Sequence, residues 1–217
     1  ADIFINNKWV DSKSGKSFPT YNPHDGSVIA QVAEGDKGDV DLAVSAAKAA
    51  FHRNSEWRLL DASQRGRILS KFADLVERDA EYLADLESYN NGMICALSRR
   101  IVAGVPGHIR YIASLADKVE GSTLPMDGDI FSYTLKQPVG VCGLILPWNV
   151  PIMMFVSKIT TALAAGTLCS YKLVLFIERV LSECMYVPFR SSKIFNKIFV
   201  VCMFIFFLLK NIENRLL

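Results

Sequence analysis

The chain has 217 residues, a formal net charge of +2, and 51% hydrophobic against 21% charged residues. That balance excludes a disordered chain and leaves no charge excess to mark a nucleic-acid partner. The average conceals a division: residues 173–217 carry six Lys/Arg against three Asp/Glu, whereas residues 1–172 carry 18 against 19. The five cysteines (Cys95, Cys142, Cys169, Cys184, Cys202) form no CxxC pair and no metal-ligand spacing with His24, His52 or His108. An odd, scattered set points to reduced thiols, no metal site, and an intracellular protein, cytoplasmic or mitochondrial. No basic region followed by an apolar run opens the given sequence, so no signal peptide is expected in it.

In chain order, Phe4 to Val10 predicts a short hairpin turning at Asn6-Asn7. Phe18 to Tyr21 is extended, Asn22 to Gly26 is a turn, and Ser27 to Val32 is a strand. Helical patterns follow. Val40 to His52 puts Leu42, Ala43, Ala46, Ala47, Ala50 and Phe51 on one side. Asp61 to Arg78 does the same with Ile68, Leu69, Phe72, Leu75 and Val76, with Asp61 as the cap. Ala80 to Asn90 stops at Asn91-Gly92. Met93 to Gly104 is a weaker helix, and Pro106 to Glu120 is a separate one capped by Gly121. Thr123 to Gly128 reads as a turn, and Ile130 to Leu135 as a strand.

The segment with the most chemical content is Gln137 to Gly166. An apolar strand, Val139 to Leu146, ends in Pro147-Trp148-Asn149, and a helix opens with Pro151 in its first turn and ends at Gly166. Thr167 to Tyr171 is a second buried strand, which completes a βαβ unit. Such a unit places Asn149 and a helix N-terminus at the carboxyl end of a strand, where open α/β sheets bind ligands. Taken on its residue type alone, Asn149 is also a good cap for the following helix. Cys142 and Cys169, inside the two strands, read as buried small hydrophobes.

From Leu173 to Leu217 the habits change. This stretch has no Gly, Ala or Asp, a single Pro (Pro188), and seven of the thirteen Phe. Its apolar run from Ile198 to Leu209 is twelve residues, short of the roughly 20 that a spanning helix needs, so a membrane partner is not expected. A membrane anchor, an extra core element and sequence foreign to the fold are the three readings, and the abrupt loss of pattern favours the third.

Six pieces in order together resemble the amino-terminal part of an NAD-dependent aldehyde dehydrogenase of the mitochondrial and retinal-type group. They are FINNKWVDS at 4–12, YNPHDGSVIAQV at 21–32, DVDLAVSAAKAAF at 39–51, YIASLADKVEG at 111–121, FSYTLKQPVGVCG at 131–143, and the Pro147-Trp148-Asn149 element. The resemblance implies an α/β fold: an incomplete Rossmann-like dinucleotide-binding domain over residues 1–172, with a β-hairpin at its start, a helical layer and an arm strand near 131–135. Residues 173–217 are then a hydrophobic tail outside the family pattern. The implied activity is oxidation of an aldehyde to a carboxylic acid, with NAD or NADP accepting hydride.

Residue by residue, the resemblance assigns Asn149 as catalytic, its amide stabilising the oxyanion of a tetrahedral thiohemiacetal. Leu146, Pro147, Trp148 and Asn149 become the wall beside the cofactor. Lys172 takes the place of a lysine that contacts the adenosine ribose, and Lys158 that of a lysine near the site. The departures are as informative. Lys172 is followed by Leu173-Val174-Leu175, with no Glu before Glu178, where the family has a ribose-binding Glu. The Gly-rich pyrophosphate turn, the general-base Glu and the nucleophilic Cys have no counterpart here, so this chain alone is expected to be inactive. The implied partners are an aldehyde substrate and further copies of the chain, joined through the arm strand. A non-catalytic fragment docking on full-length subunits, or one held at a membrane by 194–209, is the alternative.

Overall fold

The computed structural model describes residues 2–173 and 205–206. The chain opens with strand β1 (Asp2–Ile5) and strand β2 (Lys8–Val10), antiparallel, with Phe4 opposite Trp9. Asn6 and Asn7 both take positive φ (51° and 59°), the pair of left-handed residues that a two-residue hairpin turn requires. Strands β3 (Ser17–Tyr21) and β4 (Val28–Ala33) pair antiparallel around the Asn22–Gly26 turn, with a register shift between Thr20 and Tyr21. The hairpin, the turn and these strands stand as the sequence predicts.

The helical layer follows. Helix α1 (Lys37–Ala50) starts with a reciprocal capping box. Asp36 accepts from the amides of Gly38 and Asp39, and Asp39 accepts from the Asp36 amide. Helix α2 (Glu56–Leu59) is one turn capped by Ser55. Helix α3 (Ala62–Arg78) begins after Asp61, whose amide donates to Gln64 Oε1 at 2.9 Å. Helix α4 (Ala80–Asn91) ends at Gly92, whose φ of 76° is the left-handed stop.

Helix α5 (Cys95–Ser114) corrects the predicted break. It is continuous through Pro106. The missing N–H and the ring clash cost about 3 kcal/mol in a helix interior. Against that, Val102, Val105, Pro106, Ile109 and Ala113 all bury on one face, at about 1.5–3 kcal/mol for each large apolar side chain. Burial wins. The helix also stops at Ser114, short of Glu120, and Gly121 is not its cap. Gly121 instead lies against the Thr134 backbone, where a Cβ would meet the carbonyl oxygen at 1.9 Å. It anchors a hairpin of strands β5 (Thr123–Leu124) and β6 (Ser132–Tyr133), so part of the predicted turn is a strand.

Strand β7 (Val141–Leu146), helix α6 (Pro151–Ala164) and strand β8 (Leu168–Leu173) form the βαβ unit. The two strands are parallel, with Cys142 opposite Cys169 and Ile145 opposite Lys172. β8 extends past Tyr171, so Lys172 lies within the strand. The expectation of a buried β7 holds only at Leu146; Val139 lies outside the strand and Ile145 is exposed. Among the described residues β7 is hydrogen-bonded to one neighbour; Leu144 and Val141 pack only partly against the apolar core, and Ile145 is left uncovered. Cys142 is correspondingly half-buried rather than a core residue.

The main core is helical. α6 contributes Ile152, Phe155, Val156, Ile159 and Leu163, a 3.6-residue stripe. It meets Leu69, Phe72, Ala73 and Val76 of α3 and Val102, Val105, Ile109 and Ala113 of α5. A second cluster joins Ile3 and Ile5 to Val32, Ala33, Ala43 and Ala47. Of the tail, Leu173 at the end of β8 and strand β9 (Ile205–Phe206) are described. Strand β9 pairs antiparallel with β1, and the remainder of 174–217 lies outside the described residues, including most of the apolar run.

Candidate functional site

The site is the corner where β7 gives way to α6. Leu146 is fully buried and fixes the strand end in the core. The next three residues, Pro147, Trp148 and Asn149, are exposed, and Trp148 retains 58% of its accessible surface. With Ile145 at 63% exposure, they form an uncovered apolar wall at the carboxyl end of a parallel strand pair. Pro151 then occupies the first turn of α6, where its lack of an N–H costs nothing.

Asn149 does not cap α6. The capping position is Val150, and no side chain of that residue closes the helix. The function falls instead to α4. Glu87, fully buried, accepts the Ile152 amide on Oε2 at 3.1 Å. One turn further along α4, Asn91 Nδ2 donates to the Asn149 carbonyl oxygen at 3.0 Å. The corner is thus held through its backbone, and among the described residues no hydrogen bond engages the Asn149 side-chain amide. A freely presented amide beside a helix N-terminus suits a donor for developing negative charge.

Burial pushes the Glu87 carboxyl up to about 7, and the Ile152 hydrogen bond opposes the rise. Its other oxygen, Oε1, has no partner among the described residues. The sequence reading missed Glu87. Its position on the buried face of α4, beside Leu83, Ala84, Leu86 and Asn90, is the signal that could have found it. The opposite end of α6 is also served: Arg65 of α3 donates through Nε to the Ala164 carbonyl at 3.4 Å and through Nη1 to Leu60 at 2.9 Å. The Arg65 cation at the last turn opposes the negative end of the α6 macrodipole.

Of the other predicted site residues, Lys158 is exposed, and its Nζ donates to the Ile145 carbonyl, tying α6 back to β7 rather than reaching outward. Lys172 is placed by strand register alone, opposite Ile145 and therefore on the same edge as the corner. Leu146, Pro147, Trp148 and Asn149 are contiguous, so the structure brings them together with the β8 end that carries Lys172. The described residues contain no group of His, Cys, Asp and Glu side chains arranged to hold a metal. Among them, no helix is long and apolar enough to cross a membrane.

A parallel βαβ unit with an exposed Pro-Trp-Asn corner at its carboxyl strand end is the class of arrangement in which open α/β sheets bind ligands. Residues 9–174 match the aldehyde dehydrogenase family, and the chain belongs to that family. It is 50% identical over 194 residues to human mitochondrial aldehyde dehydrogenase, covering 86% of this chain and 38% of that protein. It is 54% identical over 165 residues to aldehyde dehydrogenase 1A1 of Mesocricetus auratus, covering 76% and 33%. Among solved structures it resembles PnpE in complex with nicotinamide adenine dinucleotide, with a TM-score of 0.83 at 37% identity over 87% of this chain and 38% of that one. The NAD+ complex of an aldehyde dehydrogenase from Bacillus cereus gives 0.79 at 33%, over 88% and 39%. The chain therefore spans less than two-fifths of the length of these relatives. The family's Rossmann-like α/β fold is the fold seen here in part.

Proposed function

We propose that these residues supply the cofactor wall and the oxyanion donor of an aldehyde dehydrogenase that oxidises an aldehyde to a carboxylic acid with NAD or NADP. The observation that supports this most is the Asn149 amide, exposed and unengaged, at the carboxyl end of β7 and beside the first turn of α6. The dinucleotide, when bound, accepts hydride. The uncovered apolar surface of Ile145 and Trp148 fits a flat ring system, and the exposed strand end gives it access. Leu146, Pro147, Trp148 and Asn149 would line it, and Lys172, on the neighbouring strand, would serve its adenosine ribose. The Asn149 Nδ2–H would donate to the oxygen of the attacked carbonyl as negative charge develops there.

None of the five cysteines is proposed as nucleophile. Cys95 is exposed in the first turn of α5, 3.1 Å from Ser88 Oγ, and Cys142 is half-buried in β7. Without an activated thiolate and a base, these residues bind and orient but do not turn over aldehyde. The β5–β6 hairpin supports a second, compatible reading as an arm that pairs with other copies of the family fold, since Phe131 and Leu135 are 77% and 71% exposed. The similarity to a protein named mitochondrial supports an intracellular location.

The test is a titration of the chain with NAD, and separately NADP, followed by tryptophan fluorescence. Saturable quenching at millimolar cofactor that is lost in Trp148→Phe is expected, with no aldehyde-dependent NADH formation. Absence of quenching in the wild-type chain would remove the cofactor-wall reading, and NADH formation would remove the assignment of an incomplete site.

A further inference from the structure

We propose that Glu87 is a proton-linked positioning residue: its carboxyl, neutral, keeps α4 closed on the 147–152 corner, and its ionisation favours an open, hydrated corner.

The argument begins with spacing. Glu87 and Asn91 are i and i+4 on α4, so they share one helix face. That face touches both sides of the corner: Asn91 holds the Asn149 carbonyl, and Glu87 holds the Ile152 amide three residues later. Glu87 has no accessible surface, and Oε1 finds no donor among the described residues. A buried carboxylate with half of its acceptor capacity unused is costly. The cost has two remedies. Oε1 can hold a proton while Oε2 keeps the Ile152 N–H, or the corner can open and admit water.

Neighbouring charge does not offer a third remedy. α6 carries a single charged residue, Lys158, and it is bound to the Ile145 carbonyl. On α5, Arg99 pairs with Asp85, Arg110 pairs with Asp74 and Glu77, Arg100 is exposed, and His108 does not act on Glu87. On α4 itself, Glu81 and Asp85 are exposed. Only burial and the Ile152 amide act on the Glu87 carboxyl, and burial is the larger. Its protonation midpoint, about 7 when closed against an ordinary 4.5 when hydrated, couples opening to pH.

This inference rests on the functional reading only in naming the corner as the bearer of the oxyanion donor. The clamp stands on the α4–α6 geometry alone. The test accordingly uses no cofactor. Hydrogen exchange of the amides at 152–155, corrected for intrinsic rates, is measured in the full chain from pH 5 to pH 8. The opening constant is expected to rise by on the order of fifty-fold across that range. Glu87→Gln, which retains an acceptor but does not titrate, should flatten the profile. A second measurement, independent of how that variant folds, uses the wild-type chain with carboxyl-labelled glutamate. One carboxyl resonance should titrate near neutrality, together with the Ile152 amide shift. A flat wild-type exchange profile, an unchanged slope in Glu87→Gln, or a Glu87 carboxyl titrating in the ordinary range would each overturn the clamp. None of these outcomes bears on whether NAD binds.

Discussion

Asn91 Nδ2 donates to the carbonyl oxygen of Asn149 at 3.0 Å, joining residues 58 apart in sequence. The contact explains why Asn149 can leave its own side chain free. A corner of exposed residues would ordinarily recruit its Asn as a cap, because that satisfies an orphan amide at no cost in burial. Here the α4 face supplies both the donor for the Asn149 carbonyl and the acceptor for the Ile152 amide. The division of labour separates holding the corner from presenting the amide.

Asn91→Ala removes the donor and leaves the Asn149 carbonyl to water. Asn91 is half-buried, so the loss is expected at about 0.5–1.5 kcal/mol of stability, the ordinary worth of one hydrogen bond. Denaturant unfolding with an unchanged slope would report it. NAD affinity should weaken in the same variant if the corner carries the cofactor wall. A stability loss with unaltered affinity would show that the bond supports the fold but not the corner.

The Glu87 carboxyl gives stability a pH dependence of defined sign. Its folded value, about 7, lies above the ordinary 4.5, so between these limits the folded state holds more protons than the unfolded state. Stability from this group therefore falls as pH rises from 4.5 to about 7, and it is flat on either side. The full span corresponds to about 3 kcal/mol at most. Urea midpoints measured at pH 5 and pH 8 check the direction. Glu87→Gln should lose this component of the difference.

Helix existence is legible in the sequence wherever a long apolar stripe has a clear start, Asp61 before α3 and Pro151 in the first turn of α6. It failed at Pro106, because a local rule about proline was outweighed by five buried residues on one face of α5, a tertiary fact. The Pro-Trp-Asn corner was legible as well, since a strand, a breaker and a proline-led helix are all local signals. What held the corner was not. Glu87 lies 65 residues from Ile152, and nothing in the spacing of a Glu within a helix shows that its carboxyl is buried. The Asn149 cap reading failed for the same reason: the competing acceptor came from another helix. The exposure of β7 also escaped a periodicity reading, because an apolar run shows what a strand can bury but not what is there to bury it.

Arg65 should matter to the other end of α6. Its guanidinium bridges the Ala164 and Leu60 carbonyls, and burial lowers its proton affinity from the usual range without removing its charge. Arg65→Met keeps much of the apolar stem and removes both hydrogen bonds. A loss of about 1–3 kcal/mol is expected, because two carbonyls lose a charged donor. Thermal unfolding measures it. Arg65→Lys should recover only part, since one ammonium lacks the planar fork that reaches two acceptors. Full recovery by lysine would show that charge at the helix end, not the bridging geometry, is what counts.

The β5–β6 hairpin yields the last prediction. Phe131 and Tyr133 lie with ring centroids 6.0 Å apart, and with Leu135 they stand on a two-stranded ribbon that is exposed on the described chain. A two-stranded hairpin in water is marginal by itself, and an apolar edge of this kind recruits a partner strand or aggregates. Phe131→Ser with Leu135→Ser removes apolar surface that is already solvent-facing, so the monomer's stability should change by no more than about 0.5 kcal/mol. Its association state should fall, as read by light scattering after size-exclusion chromatography over a range of concentrations. If the double variant associates as strongly as the parent, the arm is not the contact, and the uncovered face of β7 becomes the surface to test next.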